Sequence, residues 1–165
     1  MKPIVLNLRK VTPADCRRIW EWTNDPAMLR FAFQTTAPVP WNNHCRWFEG
    51  TLAETKRTQY LAETPEGAPA GQIRSEPEGD HAVVSVYLAA DFRGKGLAPQ
   101  LIRAGTLRYA EEKGIQTFVA WIKPENEPSR RSFLAAGYGD AQLLEFAGQP
   151  AWRLVWKAAA TEAGG

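Results

Sequence analysis

Cysteine is scarce in this chain: Cys16 and Cys45 are the only two in 165 residues. Two thiols so far apart in sequence supply neither a metal-ligand cluster nor the disulfide framework of a small secreted scaffold. Both fall at apolar positions of predicted helices, where a thiol packs as a small buried hydrophobe. No apolar run approaches the ~18 residues of a membrane span, and the first residues contain no apolar signal core, so the expected compartment is the cytoplasm. Charge of one sign is also lacking. Twenty Lys and Arg stand against 18 Asp and Glu, a formal net charge of +2, too little to attract nucleic acid through the bulk field. Internal repeats and low-complexity segments are missing as well. What is present is a hydrophobic fraction of 44% and a charged fraction of 23%, as in an ordinary soluble globular protein. The length suits one domain, residues 1–157, with a frayed tail over 158–165.

The most informative stretch is Asp91-Phe92-Arg93-Gly94-Lys95-Gly96-Leu97-Ala98. An apolar run over 83–88 leads into it and a helical pattern over 97–113 leads out. A helix that begins inside a small-residue turn leaves several backbone N–H groups unpaired at its positive end. Gly94, Gly96 and Ala98 leave those donors open, while Arg93 and Lys95 add charge. The arrangement suits a diphosphate, although glycine-rich turns also occur only because the backbone needs positive φ.

Around this loop the pattern predicts a strand over 4–8 and a helix capped by Thr12 with Pro13 in its first turn. Asn24-Asp25-Pro26 reads as a turn, 28–40 as a loop, and Trp41 as the start of a second helix carrying His44 and Trp47. Strands follow over 59–62, 70–74 and 81–88. After the 97–113 helix come a buried strand over 117–122, a short helix capped near Asn126, and a hairpin of strands over 141–146 and 152–156. This order is an α/β layer arrangement around a mixed sheet of about seven strands.

Arg93-x-x-Gly96-x-Ala98 after a strand resembles the acetyl-CoA pyrophosphate loop of the GNAT N-acetyltransferase superfamily. Asn126-x-x-Ser129-x-x-x-Phe133-x-x-x-Gly137-Tyr138 resembles the segment by which that superfamily holds the pantetheine arm. The resemblance spans nearly the whole chain. It implies a GNAT fold with helices on both faces of the sheet and a splayed central strand. It also implies acetyl-CoA as co-substrate, no metal, and a small-molecule amine acceptor, with no nucleic-acid partner. Oligomeric state is not written in the pattern, and a homodimer stays open. Cofactor contacts are expected from Leu88, Arg93, Gly94, Lys95, Gly96, Leu97, Ala98, Asn126, Ser129 and Phe133.

A finer likeness lies in Ile19-Trp20-Glu21-Trp22-Thr23-Asn24-Asp25-Pro26, His44-x-x-Trp47-Phe48-Glu49, Gly71-Gln72-Ile73-Arg74 and Ile122-Lys123-Pro124-Glu125-Asn126. It points to nucleotide-linked amino-sugar N-acetyltransferases of pseudaminic-acid-type pathways. Their acceptor would be a UDP-linked amino sugar, lined here by Asn24, His44, Gln72 and Arg74. Ribosomal-protein N-terminal acetyltransferases share the Trp…Asn-Asp-Pro opening, so a peptide acceptor is the alternative. Two departures matter. Val83 stands where relatives often carry a Glu base, and Phe133 where many carry a Tyr that protonates the leaving thiolate. Ser85 and Tyr87, on one strand face by the period of two, are the remaining candidates for proton handling. The same departures keep a non-catalytic acetyl-CoA-binding module as a further alternative.

Overall fold

A computed structural model describes residues 3–54 and 58–158 of the chain. Past Ala158, the expected tail lies outside the described residues. Seven strands form one mixed sheet in the order β1-β2-β3-β4-β5-β7-β6. They are β1 (Asn7–Lys10), β2 (Thr58–Glu63), β3 (Pro69–Glu78), β4 (His81–Leu88), β5 (Thr117–Ile122), β6 (Gly139–Phe146) and β7 (Gln149–Lys157). Five helices join them: α1 (Cys16–Thr23), α2 (Pro26–Phe31), α3 (Trp41–Ala53), α4 (Leu97–Lys113) and α5 (Glu127–Ala135). All strand pairs are antiparallel except β4–β5.

The two faces of the sheet carry different cores because side chains alternate along each strand. Tyr60, Ile73 and Val84 point to one face and pack with Leu101, Ile102 and Tyr109 of α4 and Phe133 of α5 in the main core. Leu61 and Tyr87 point to the other and pack with Trp22 of α1. Trp47 of α3 lies on that second face too, with the Arg74 guanidinium 5.4 Å from its ring centroid. The α4 helix approaches β3 closely: a Cβ added at Gly105 would stand 2.5 Å from Ile73 Cδ1.

Three sequence expectations change. The first strand runs over Asn7–Lys10 rather than 4–8, because Gln100 of α4 captures the preceding backbone. Its Oε1 accepts from Leu6 N–H at 2.6 Å and its Nε2 donates to Ile4 O at 3.0 Å. The expected turn at Asn24-Asp25-Pro26 instead opens α2, with Asp25 accepting from Ala27 N–H at 3.0 Å and Pro26 at the first helical position, where its missing N–H costs nothing. Cys16 and Cys45 are half-buried rather than core residues.

The β4–β5 junction positions everything that follows. Only Ala82–Phe118 and Val83–Val119 pair, and the two strands then part. Ala89 N–H reaches Ala70 O across the β3–β4 ladder at 2.7 Å. By alternation, Val83, Ser85 and Tyr87 bond to β3, while Val84, Val86 and Leu88 turn their N–H and C=O groups toward β5. For Val86 and Leu88 that direction opens into the splay.

Candidate active site

Backbone geometry builds the first half of the site. After β4 the chain makes a 3-10 turn over Ala90–Phe92 and enters α4 through Gly94 and Gly96. These glycines have φ of +76° and +72°, the left-handed region that side-chain-bearing residues avoid. Apart from the glycine and its chain neighbours, nothing lies within 4 Å of a Cβ added at either one. In the first turn of α4 the N–H groups of Leu97 and Ala98 have no intrahelical partner, Pro99 having no N–H to offer, and they lie at the positive end of a 17-residue helix. Leu97 offers only its backbone, its side chain being buried in the core. The cradle and the splay fit a diphosphate followed by an extended amide-bearing arm, the arm meeting the Val86 and Leu88 edge of β4.

Arg93 departs from its expected part. Its guanidinium turns back, donating from Nε to Leu88 O and from Nη2 to Asp25 Oδ2, both at 2.9 Å. In this conformation Arg93 staples the loop to β4 and α2 instead of adding its charge to the cradle. Lys95 Nζ lies 5.8 Å from the Phe92 ring centroid. On the far side of the splay, Asn126 caps α5 by accepting from Ser129 N–H at 3.3 Å. Phe133 is 3% exposed and meets Tyr138 edge-on at 5.0 Å, inside the core. Tyr138 does not replace the missing hydroxyl, because its own is paired with Thr106 at 2.8 Å in the core.

The second sheet face carries the residues expected to line the acceptor. Leu61, Gln72 and Tyr87 are directly opposed across β2–β3–β4, as are Gln59, Arg74 and Ser85 in the next row. Gln59 Nε2 donates to Gln72 Oε1. Among the described residues, Gln59 Oε1 is buried without a partner. Arg74 pairs with Glu76 at 3.3 Å while lying over Trp47. The hydroxyl of Tyr87 donates to Asp25 Oδ2 at 2.5 Å, and its ring packs on Trp22 at 5.3 Å.

Two expected acceptor residues take other work. His44 is 2% exposed, with Nε2 donating to Cys16 O at 2.9 Å and its ring among Trp41, Trp47 and Phe48. Burial holds its pKa below 6.5 against that hydrogen bond. Its hydrogen bond joins α3 to α1. Asn24 spends both ends of its amide on Val39: Oδ1 accepts from the N–H at 2.7 Å and Nδ2 donates to the carbonyl at 3.1 Å. Trp20 Nε1 donates to the same carbonyl at 2.7 Å.

What Asn24 holds is a strap, residues 32–40. Its beginning reaches across the splay, where Phe33 meets Phe146 edge-on at 5.1 Å, Phe146 stacks on Trp121 at 4.6 Å, and Gln149 Nε2 donates to Phe33 O at 3.3 Å. Sequence reasoning missed this aromatic wall, and it missed Asp25, whose Asp-Pro signal was the visible clue.

Residues 6–138 match the acetyltransferase (GNAT) domain family. The chain belongs to the GNAT acetyltransferases. It is 33% identical over 135 residues to an L-2,4-diaminobutyric acid acetyltransferase of Streptomyces avermitilis, covering 79% of this chain and 69% of that one. It is 28% identical over 145 residues to a Bacillus subtilis protein named as a phosphinothricin acetyltransferase, covering 84% and 87%. In fold it resembles the aminoglycoside acetyltransferase AAC(6')-Ib, solved with ribostamycin and coenzyme A, at a TM-score of 0.81 and 21% identity, covering 96% of each chain. As a GNAT enzyme the protein is an N-acetyltransferase with acetyl-CoA as co-substrate. No group of His, Cys, Asp and Glu suited to a metal ion occurs among the described residues, and no described helix is long and apolar enough to cross a membrane.

Proposed function

We propose that this GNAT enzyme acetylates the primary amine of a small acceptor that also carries an anionic group, an amino-acid-type diamine being the favoured class. The observation that carries this reading is Arg74, held over Trp47 on the acceptor face, one strand from Tyr87 and directly opposite Ser85. A guanidinium steadied against an aromatic face is suited to a carboxylate or phosphate. In the same row, the unpartnered Gln59 Oε1 would be satisfied by an N–H of such an acceptor. The strap over the splay favours a small molecule, and the names of the diaminobutyric acid and phosphinothricin relatives agree with an acceptor bearing both an amine and an acid.

Acetyl-CoA supplies an activated acyl group. The α4 cradle would hold its diphosphate, with Asn126 and Ser129 across the splay beside its arm. The Leu88 N–H would donate to the thioester carbonyl, the kind of preorganised donor whose removal typically costs ~10²–10³ in rate. Ser85, opposite Arg74 on the same sheet face, would pass a proton from the amine to a water. A second reading, a UDP-linked amino sugar, is favoured by the Gly71-Gln72-Ile73-Arg74 strand, since a diphosphate would also pair with Arg74.

The test is acetyl-CoA turnover with L-2,4-diaminobutyrate, phosphinothricin, UDP-linked amino sugars and N-terminal peptides. With the preferred acceptor, Arg74→Ala should raise KM at least ~10-fold, equivalent to ~1.4 kcal/mol, and leave the acetyl-CoA Kd within about twofold. Efficient acetylation of peptides alone, or an Arg74→Ala enzyme with unaltered acceptor KM, would sink the reading.

A further inference from the structure

The α1–α2 junction meets the loop before α4 at one carboxylate. Asp25 Oδ2 accepts from Tyr87 Oη at 2.5 Å and from Arg93 Nη2 at 2.9 Å, while Oδ1 accepts from Ala27 N–H at 3.0 Å. These contacts tie together segments 62 and 68 residues apart. An ionised carboxylate can only accept, so each partner is the donor. A phenol has one proton. Once that proton is committed to Asp25, what Tyr87 Oη has left to present is lone pairs.

We propose that Asp25 is a positioning residue of acetyl transfer, holding the Tyr87 proton toward itself so that the phenol oxygen accepts an N–H of the attacking amine. This rests on the proposed amine acetylation at the same site. A neutral amine must aim its lone pair at the thioester carbonyl carbon, and a fixed acceptor for one of its N–H bonds sets that direction. Val83 cannot provide such an acceptor, and Tyr87 follows Ser85 along the acceptor face of β4. Trp22 and the Arg93 guanidinium, 5.3 and 5.4 Å from the Tyr87 ring centroid, fix the ring.

The protonation states agree with the geometry. Burial pushes the Tyr87 phenol well above its ordinary value, and the Asp25 hydrogen bond adds to this while Arg93 opposes it. Burial would raise Asp25 as well, but the bonds from Tyr87, Ala27 N–H and Arg93 outweigh it and keep the carboxyl below 3.8. The proton thus stays on Tyr87 and the negative charge on Asp25. Protonation of the departing thiolate by Tyr87 would require breaking this contact.

Asp25→Asn separates positioning from folding. Asparagine caps a helix about as well as aspartate, but it sets an N–H2 group against Tyr87 and Arg93 and so reverses the hydrogen bond. Two measurements on the full chain test the idea. In NMR of protein labelled at the tyrosine ring Cζ, with Tyr87→Phe assigning the signal, Tyr87 should titrate above the ordinary value of about 10. Asp25→Asn should move that titration downward. In initial rates with L-2,4-diaminobutyrate and acetyl-CoA, Asp25→Asn and Tyr87→Phe should each lower kcat at least ~10-fold. The double variant should be no slower than the slower single one, with the acetyl-CoA Kd within about twofold throughout. Losses that multiply, a parental rate for Asp25→Asn, or an unmoved titration in an active enzyme overturn the proposal. If the parent acetylates no amine at all, the functional reading falls and the transfer role with it. The titration then shows separately whether the Asp25–Tyr87 contact exists.

Discussion

His44 is folded as a neutral residue. Its Nε2 proton goes to the Cys16 carbonyl and three aromatic rings surround it, so a second proton would place an unpaired charge in an apolar setting. Because burial lowers its folded pKa below 6.5, the unfolded chain takes up that proton first as pH falls. His44 therefore contributes stability that is full above about pH 6.5 and is lost as pH drops through that value toward the folded pKa. Urea midpoints measured between about pH 7.5 and 5 should fall for the parent and fall less steeply for His44→Gln. Equal slopes would mean that the ring is not buried neutral. His44 also marks a limit of sequence reading. Its position on a helix was legible, but the same spacing serves a pocket wall or a buried strut. Only the 28-residue reach to Cys16 decides between them.

Among elements, α4 and β4 were legible at their ends and α2 was not. The φ-positive residues Gly96 and Gly114 bracket α4 at both ends, and a period-two run fixes β4. Asp25-Pro26, by contrast, has the same chemistry in a turn and at a helix start, and the Ala27 N–H that settles the matter carries no side-chain signature. The strap over 32–40 was legible only as a loop, since its anchors on Asn24, Trp20 and Phe146 are long-range. Asn24→Ala should cost about 1–3 kcal/mol, because it strands a part-buried N–H and weakens the hold on a carbonyl. It should also raise acceptor KM more than acetyl-CoA KM, by freeing the strap. Chemical denaturation and steady-state kinetics check both. A stable variant with an acceptor-only defect would restore Asn24 to direct contact with the acceptor.

At the scale of the molecule, the sheet is two antiparallel blocks, β1–β4 and β5–β7–β6, whose ladders meet in two residue pairs. Seven strands and their order of use could be anticipated from the sequence. The splay of the central strand at this seam was expected only through the family resemblance, since nothing in the residues after Val83 or Val119 says that pairing stops. The seam makes the sheet a hinged pair of leaves instead of one continuous plate, and a ligand lying in the splay would lace the leaves together. Amide exchange should therefore show two openings in the unliganded protein, with β5–β7 exchanging at lower free energy than β2–β4. Coenzyme A at ~100 times its Kd adds about 2.7 kcal/mol to any opening that releases it. Both leaves should gain that protection together, leaving the difference between them unchanged. Uniform exchange without ligand would show instead that the helices already bind the leaves into one unit. If the two openings are found, the cleft that receives the substrate is also the line along which this protein comes apart.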